Sequence, residues 1–295
     1  SAVFVGGSHI MQDLRKVVAD VAPSDLPILI TGETGTGKSI LAADIHVQNS
    51  TSKRDPVVVD CTGLSTDIGS IQLLGQVAGL NRRDVPLARG ALESAHGNSL
   101  ILEEVSALNS DLQGLMLRFA ETGYVQRIGA LEGRTVNARL ITTSNQDLEA
   151  LVQAKIFRRD LFHRINTIEI VVPPLRDRRD DIAELASYFA RTITQGTDVL
   201  FTNAALRTLI EHEWPGNVRE LLNVIRRVVT LNATGRVTAQ DVSFLKSAQV
   251  SEPISERDWI ADALRQHNYR KGETARHLGM APRTLYNKIK KFQLE

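Results

Sequence analysis

The octapeptide Gly32-Glu33-Thr34-Gly35-Thr36-Gly37-Lys38-Ser39 constrains the fold of this chain more than any other segment. It satisfies GxxxxGK[ST] at every fixed position, with an apolar run over residues 27–31 before it and a helical pattern from Lys38 after it. That strand–loop–helix context is the one in which such a sequence cradles phosphate. The glycines let successive backbone N–H groups curl around phosphate oxygens. The helix opening at Lys38 points the positive end of its dipole at them. Lys38 reaches the β- and γ-phosphates of a nucleotide, and Ser39 offers a hydroxyl to Mg2+. A chain with this loop needs a buried strand in front of it, hence a sheet covered by helices.

Residues 1–172 supply the rest of such a sheet. Further apolar runs fall at 56–60, 99–102, 139–143 and 167–172, alternating with helical patterns. The expected fold class is therefore α/β, a mostly parallel sheet flanked by helices. Between the third and fourth runs, Leu112, Leu115, Met116 and Phe119 share one helical face. The third run ends in Glu103-Glu104. Adjacent glutamates are common on surfaces, but here they stand at a strand end two elements after the phosphate loop. Glu103 is expected to hold Mg2+ and Glu104 to polarise the attacking water.

Pro173-Pro174 ends the alternation, and everything after it reads as helix. One apolar stripe is Ile182, Leu185, Ala186, Phe189 and Ile193; a second is Leu206, Leu209 and Ile210, with Thr202 as N-cap. A third is Leu221, Val224, Ile225 and Val228. Thr238 and Asp241 have capping-box spacing for a short further helix. Residues 247–255 read as a linker. The tail then holds three helical pieces, patterned by Trp259, Ile260, Ala263 and Leu264, by Ala275 and Leu278 before Gly279, and by Leu285 and Ile289 after Pro282.

Composition excludes several classes. With 295 residues the chain fits about two domains of ~150 residues. The single Cys61 rules out an intrachain disulfide framework and a cysteine zinc finger. The seven histidines are scattered without metal-ligand spacing. No apolar run approaches the ~18 residues of a membrane span, so no membrane partner is expected and a reduced cytoplasmic setting is the default. The net charge of +1 hides an asymmetry: residues 263–295 carry eight basic side chains against two acidic ones, leaving a deficit of five on residues 1–262. Such a tail reads either as a polyanion-binding element or as a solvated basic helix.

Together these residues resemble the AAA+ domain of bacterial enhancer-binding proteins, the sigma-54-dependent transcriptional activators, with their Fis-type helix-turn-helix appended. Val5-Gly6 looks like the family's adenine-contacting motif, and 100–104 like its Walker B strand, usually Leu-Phe-Leu-Asp-Glu. Thr143-Ser144-Asn145 is similar to sensor I, which makes Asn145 the γ-phosphate sensor. Residues 157–164, Phe-Arg-Arg-Asp-Leu-Phe-His-Arg, look like the arginine-finger segment. The resemblance implies that Arg158 and Arg164 reach a neighbouring subunit's nucleotide; the alternative is ion pairing with Asp160 and Asp177 inside the chain. Residues 214–221, Trp-Pro-Gly-Asn-Val-Arg-Glu-Leu, nearly repeat sensor II, with Arg219 facing nucleotide. In the tail the helix-turn-helix would aim Arg283, Thr284, Asn287 and Lys288 at the major groove, with Arg270, Lys271, Lys290 and Lys291 on phosphates. The implied organisation is an AAA+ core over 1–172, an α-helical lid over 173–246, a linker over 247–255 and a DNA-binding domain over 256–295. The implied cofactors are ATP and Mg2+. The implied partners are double-stranded DNA, RNA polymerase holoenzyme and further copies of the chain, from dimer to hexamer. An N-terminal receiver or sensor domain is expected ahead of a chain that starts at Ser1 directly on the AAA+ motif.

Three departures bear on function. Where the family carries Gly-Ala-Phe-Thr-Gly-Ala to grip sigma-54, residues 77–84 read Val-Ala-Gly-Leu-Asn-Arg-Arg-Asp, with no aromatic and no Thr-Gly pair. Glu103 replaces the usual Asp, moving a Mg2+ carboxylate out by one methylene, and Asp60 stands where an Asn usually donates to the catalytic Glu. An ionised Asp60 cannot donate and would repel Glu104 if close. The reading that follows is an ATP-binding DNA-binding transcriptional regulator acting without sigma-54, through another sigma factor or by nucleotide-gated oligomerisation on DNA. The alternative is an active sigma-54-dependent activator that hydrolyses ATP to remodel the promoter complex.

Overall fold

Each of the five apolar runs becomes a strand of one parallel sheet. The computed structural model describes residues 4–49, 54–78, 87–232 and 235–245, together with Lys271, Thr274 and Ile289. In chain order the first half runs α1 His9–Val21, β1 Ile28–Thr31, α2 Lys38–Gln48, β2 Val57–Asp60, α3 Thr66–Leu74, β3 Gly75–Gln76, β4 Ala88–Arg89, α4 Ala91–Ser94 and β5 Asn98–Glu103. It continues through α5 Ser110–Thr122, β6 Tyr124–Val125, β7 Arg134–Thr135, β8 Ala138–Ser144, α6 Leu148–Gln153, α7 Arg159–Ile165 and β9 Ile168–Val171. The sheet order is β2-β5-β8-β1-β9, all parallel.

Side-chain alternation along the strands explains why both faces are covered. Leu29, Leu100, Leu102 and Leu140 point to one face and pack with Leu112, Met116 and Phe119 of α5 and Leu161 and Ile165 of α7. Ile28, Ile30, Ile101, Ile141 and Ile170 point to the other and pack with Met11, Leu14 and Val18 of α1 and Leu41 and Ile45 of α2. The central strands β5 and β8 are buried almost throughout, whereas the edge strands β2 and β9 alternate. Because all strands run one way, their carboxyl ends share one rim, where such sheets bind ligands. Thr31, Asp60, Glu103 and Ser144 end their strands there.

Two small antiparallel hairpins interrupt this layout. β3 pairs with β4 around residues 77–87, and β6 pairs with β7. Residues 79–86, which include most of the unusual 77–84 sequence, lie outside the described residues.

After Pro174 come two 3-10 turns, then α8 Ile182–Ile193, β10 Leu200–Phe201, α9 Asn203–Glu211, α10 Asn217–Leu231 and β11 Arg236–Val237. Thr202 caps α9 by accepting from the Ala205 N–H. The apolar stripes bury Ile182, Leu185, Ala186, Leu209, Leu221, Val224, Ile225 and Val228, while Phe189 is only half-buried. Thr238 and Asp241 do bond, the carboxylate accepting from the Thr238 N–H and hydroxyl at 2.7 and 2.8 Å. They close a turn over 239–243, and the chain is helical at 244 and 245, where the described residues of this segment end. A parallel β10–β11 bridge pairs Leu200 with Arg236 and Phe201 with Val237 just before this turn.

The chain forms two compact units, Ser1–Val242 and Ser243–Glu295. The first therefore holds both the α/β core and the helical segment. In the second, Lys271, Thr274 and Ile289 are helical; Lys271 is exposed, and Thr274 and Ile289 are buried. Arg270, Arg283, Thr284, Asn287, Lys288, Lys290 and Lys291, like the 247–255 linker, lie outside the described residues.

Candidate functional site

A cleft of about 520 Å3 opens at the carboxyl rim, between the phosphate loop and the helical segment. Thr34, Gly35, Gly37, Lys38 and Ser39 form its floor. Asp60, Thr62, Glu103, Glu104 and Asn145 form the wall at the strand ends, and Ile40, Phe189, Val218, Arg219 and Leu222 close it from the other side. One end is thus polar and charged and the other apolar, the arrangement a nucleotide requires.

Glu104 is the most constrained side chain in the wall. Its backbone is left-handed at φ 54°, an uncommon state for a residue with a Cβ, and its N–H donates to Thr143 Oγ1 at 3.0 Å. One carboxylate oxygen accepts from the Asn145 backbone N–H at 2.7 Å, and the other pairs with Lys38 Nζ at 3.1 Å. Lys38 is buried and also donates to the Gly32 and Glu33 carbonyls. The Asn145 amide donates in turn to Thr34 Oγ1 at 3.1 Å. Asn145 therefore touches the Glu104 carboxylate through its backbone and the phosphate loop through its side chain.

Asp60 and Glu103 are register partners on β2 and β5. Asp60 is turned into a local loop, where its Oδ1 accepts from the Thr62 N–H and hydroxyl at 2.9 and 2.7 Å. The negative field of these groups registers on the adjacent Cys61 thiol, pushed up to about 12 by burial first and then by Asp60, Glu103 and Glu104. Ser39, Glu103 and Asp60 place oxygen atoms in the cleft lining, the ligand type that suits Mg2+.

The helical segment grips the loop through residues whose importance the sequence did not announce. Asn217, fully buried with φ 54°, accepts from the Leu175 N–H at 2.8 Å and donates to Glu33 Oε2 at 3.0 Å and to the Thr34 carbonyl at 3.1 Å. Arg176 forks onto Glu33 at 2.6 and 2.9 Å. The hydrogen bonds from Arg176 and then Asn217 hold the Glu33 carboxyl at about 2. Buried Arg178 donates to the Thr36 carbonyl at 2.9 Å, and burial lowers its pKa. Gly35, at φ 81°, lets this contact close: a Cβ there would collide with the Gly216 carbonyl. The Arg219 N–H donates to the Gly35 carbonyl at 3.2 Å while its exposed side chain lines the cleft. The available signal for Asn217 was its place in the 214–221 motif, which pointed to nucleotide only through Arg219 and does not say what Asn217 meets.

Other expected site residues lie elsewhere. The Glu33 side chain faces Arg176 rather than the cleft, and Thr36 is buried with its hydroxyl on the Glu33 carbonyl. Gly32, at φ 149°, donates its N–H to the Ser144 carbonyl. Val5 and Gly6 sit outside the cleft lining. Gly6 packs on Asp181 so closely that a Cβ would stand 2.8 Å from its carboxylate, and the neighbouring Phe4 ring lies over Gly37. Arg158 and Arg164 are exposed and away from this cleft. Arg158 forks onto Asp160 at 3.0 and 2.8 Å.

Comparison with known proteins agrees with this layout. A family model described as the Sigma-54 interaction domain matches residues 4–171. The chain belongs to the sigma-54 activator family. An AAA+ ATPase lid model matches residues 176–256, and a model of Fis-family bacterial regulatory proteins matches 253–292. The Nif-specific regulatory protein of Klebsiella pneumoniae is 33% identical over 302 residues, 97% of this chain and 58% of that protein. The transcriptional regulatory protein ZraR of Escherichia coli is 34% identical, over 97% of this chain and 68% of its own length. This chain thus spans little more than half of the Nif-specific relative. Crystal structures of NtrX from Brucella abortus match at a TM-score of 0.74, covering 98% of this chain and 69% of that one at 30% identity in the ADP complex. The ATP complex matches at 28% identity. The Thermotoga maritima RuvB motor, at 15% identity and a TM-score of 0.56, shares the fold. Among the described residues no helix is long and apolar enough to cross a membrane.

Proposed function

We propose that this sigma-54 activator family member is an ATP-binding, DNA-binding transcriptional regulator of the cytoplasm that works without sigma-54, through another sigma factor or by nucleotide-gated oligomerisation on DNA. The carrying observation is the 77–84 sequence Val-Ala-Gly-Leu-Asn-Arg-Arg-Asp, which lacks the Phe-Thr pair the family uses on sigma-54. ATP binding is supported by the cleft and by the nucleotide complexes of NtrX. Glu33, Thr34, Gly35 and Gly37 offer backbone N–H groups to the phosphates, Gly32 and Thr36 shape the loop through their bonds to the Ser144 and Glu33 carbonyls, and Lys38 neutralises charge. Ser39 and Glu103 hold Mg2+, which when bound shields the phosphate oxygens. Ile40, Phe189 and Leu222 receive the base, and Val5 and Gly6 approach its edge. Asn145 and Arg219 report the phosphate state, Arg219 from the lid. DNA is bound by the tail through Arg270, Lys271, Arg283, Thr284, Asn287, Lys288, Lys290 and Lys291.

A second reading, an active sigma-54-dependent ATPase, is favoured by Glu104. Its carboxylate stands at the strand rim beside Lys38 and Asn145, where it can take a proton from an attacking water. Arg158 and Arg164 lie outside their own cleft, which supports a role at a neighbour's nucleotide on either reading; the alternative for Arg158 is the ion pair it makes with Asp160 inside the chain. Such a head-to-tail contact closes into a ring, up to a hexamer. Retention of purified sigma-54 by the protein loaded with an ATP transition-state analogue separates the two. No retention supports the first reading; robust retention establishes the second. ATPase rate per subunit measured against protein concentration checks the shared part, since arginines acting between subunits make it rise.

A further inference from the structure

We propose that Gln113 is a positioning residue that ties the segment bearing Arg158 to the segment leaving the Glu103-Glu104 pair, so that one subunit's nucleotide site sets the arginine it presents to the next. This rests on the reading of Arg158 as an arginine acting between subunits. Gln113 is the polar member of the buried face of α5, only 1% exposed among Leu112, Met116 and Phe119. Its carboxamide makes three bonds. Oε1 accepts from the Arg158 N–H at 2.9 Å, and Nε2 donates to the Leu108 carbonyl at 2.7 Å and the Ile156 carbonyl at 3.1 Å.

Both ends of this bridge are strategic. Leu108 follows the single 3-10 turn Val105–Ala107 that leaves Glu104, and that turn is closed by the Ala107 N–H on the Glu104 carbonyl at 2.9 Å. Ile156 and Arg158 belong to a tight bend. Lys155 there is left-handed at φ 60°, and the Ile156 and Phe157 N–H groups both turn back onto the Leu151 carbonyl. Such a bend leaves the Ile156 carbonyl and the Arg158 N–H without backbone partners, and Gln113 satisfies both. Arg158 is also the N-cap of α7, so the same bond aims the first turn of that helix. A rotation of Glu104 is carried through one turn and one amide to Arg158, with no loose linker between.

The test uses the whole chain with Gln113→Met, which keeps length and removes all three bonds. Nucleotide affinity is expected to stay within about twofold, while turnover at saturating protein falls roughly tenfold to a hundredfold, the cost of an ångström-scale misplacement. Glu103→Gln subunits lose a cleft carboxylate but keep Glu104, Gln113 and Arg158; mixed with Gln113→Met subunits they are expected to restore turnover at the latter's sites. Arg158→Ala subunits are expected not to. Rescue by Arg158→Ala, or none by Glu103→Gln, overturns the proposal. A second variant, Gln113→Glu, when protonated keeps the acceptor for the Arg158 N–H and one of the two donors, and when ionised keeps only the acceptor, so its turnover relative to wild type should fall as pH rises. A flat ratio overturns it too. If Arg158→Ala alone turns over at the wild-type rate, or the wild-type chain does not turn over at all, the reading of Arg158 fails and this proposal with it.

Discussion

Asn217→Ala probes the seam between lid and phosphate loop. The Asn217 side chain is fully buried and joins three partners, the Leu175 N–H, the Thr34 carbonyl and the Glu33 carboxylate. Truncation strands the Leu175 N–H, whose bond is buried, at about 2 kcal/mol, and the Thr34 carbonyl, whose bond is part-buried, at about 1 kcal/mol. Glu33 keeps its fork to Arg176, so the third loss is minor. Asn217 is also left-handed at φ 54°, which Asn tolerates and Ala adopts at a cost of about 1 kcal/mol. The expected destabilisation is about 4 kcal/mol, or roughly 10 °C in Tm for a unit of this size. Calorimetry and urea unfolding of the variant measure it. Arg219→Ala is the control: its exposed side chain lines the cleft, so stability should change by less than about 0.5 kcal/mol while nucleotide response weakens. A loss below about 1 kcal/mol for Asn217→Ala would refute the reasoning. It would mean that apolar packing alone seats the lid.

Further outcomes follow from the same contacts. Lys38→Ala should lower ATP affinity by about a hundredfold or more, since charged hydrogen bonds contribute about 1.5–3 kcal/mol each; calorimetric titration checks it. The Glu33 carboxyl is depressed from 4.5 to about 2. Its stabilising contribution is therefore complete above about pH 4.5 and is lost as pH falls through about 2. Arg176 and Glu33 are 39% and 43% exposed, which limits that contribution to about 1 kcal/mol. The stability difference between wild type and Glu33→Gln should accordingly shrink from pH 5 to pH 2, and a difference that grows on acidification would contradict the pairing. Arg283→Ala should cost roughly 1–3 kcal/mol at one base position in a binding-site selection, whereas a uniform loss across sequences would make it a phosphate contact.

Much of the fold was legible because its signals are local. The strand β1, the loop and α2 follow from one octapeptide and its flanks, and the faces of β1, β5 and β8 follow from the alternation of Leu and Ile. The Thr238–Asp241 pair is of the same local kind: its two hydrogen bonds form as the spacing implies, ahead of helical residues 244 and 245.

The candidate site divides along the same line. By itself the sequence determined the chemistry on offer: a phosphate loop, a carboxylate pair at a strand end, an Asn after another strand, and arginines near the lid. It did so because those groups must sit at fixed offsets from their own strands and helices. Only the tertiary structure decided which groups meet. It turned Asp60 onto Thr62, set Glu104 between Lys38 and the Asn145 backbone, and sent Glu33 to Arg176 and Asn217. Gln113 joined residues 108 and 158 by the same means. Apart from Asp60–Thr62 and Gln113–Leu108, these contacts span 41 to 184 positions in the chain, and a hydrogen bond at that separation depends on packing that no local pattern encodes.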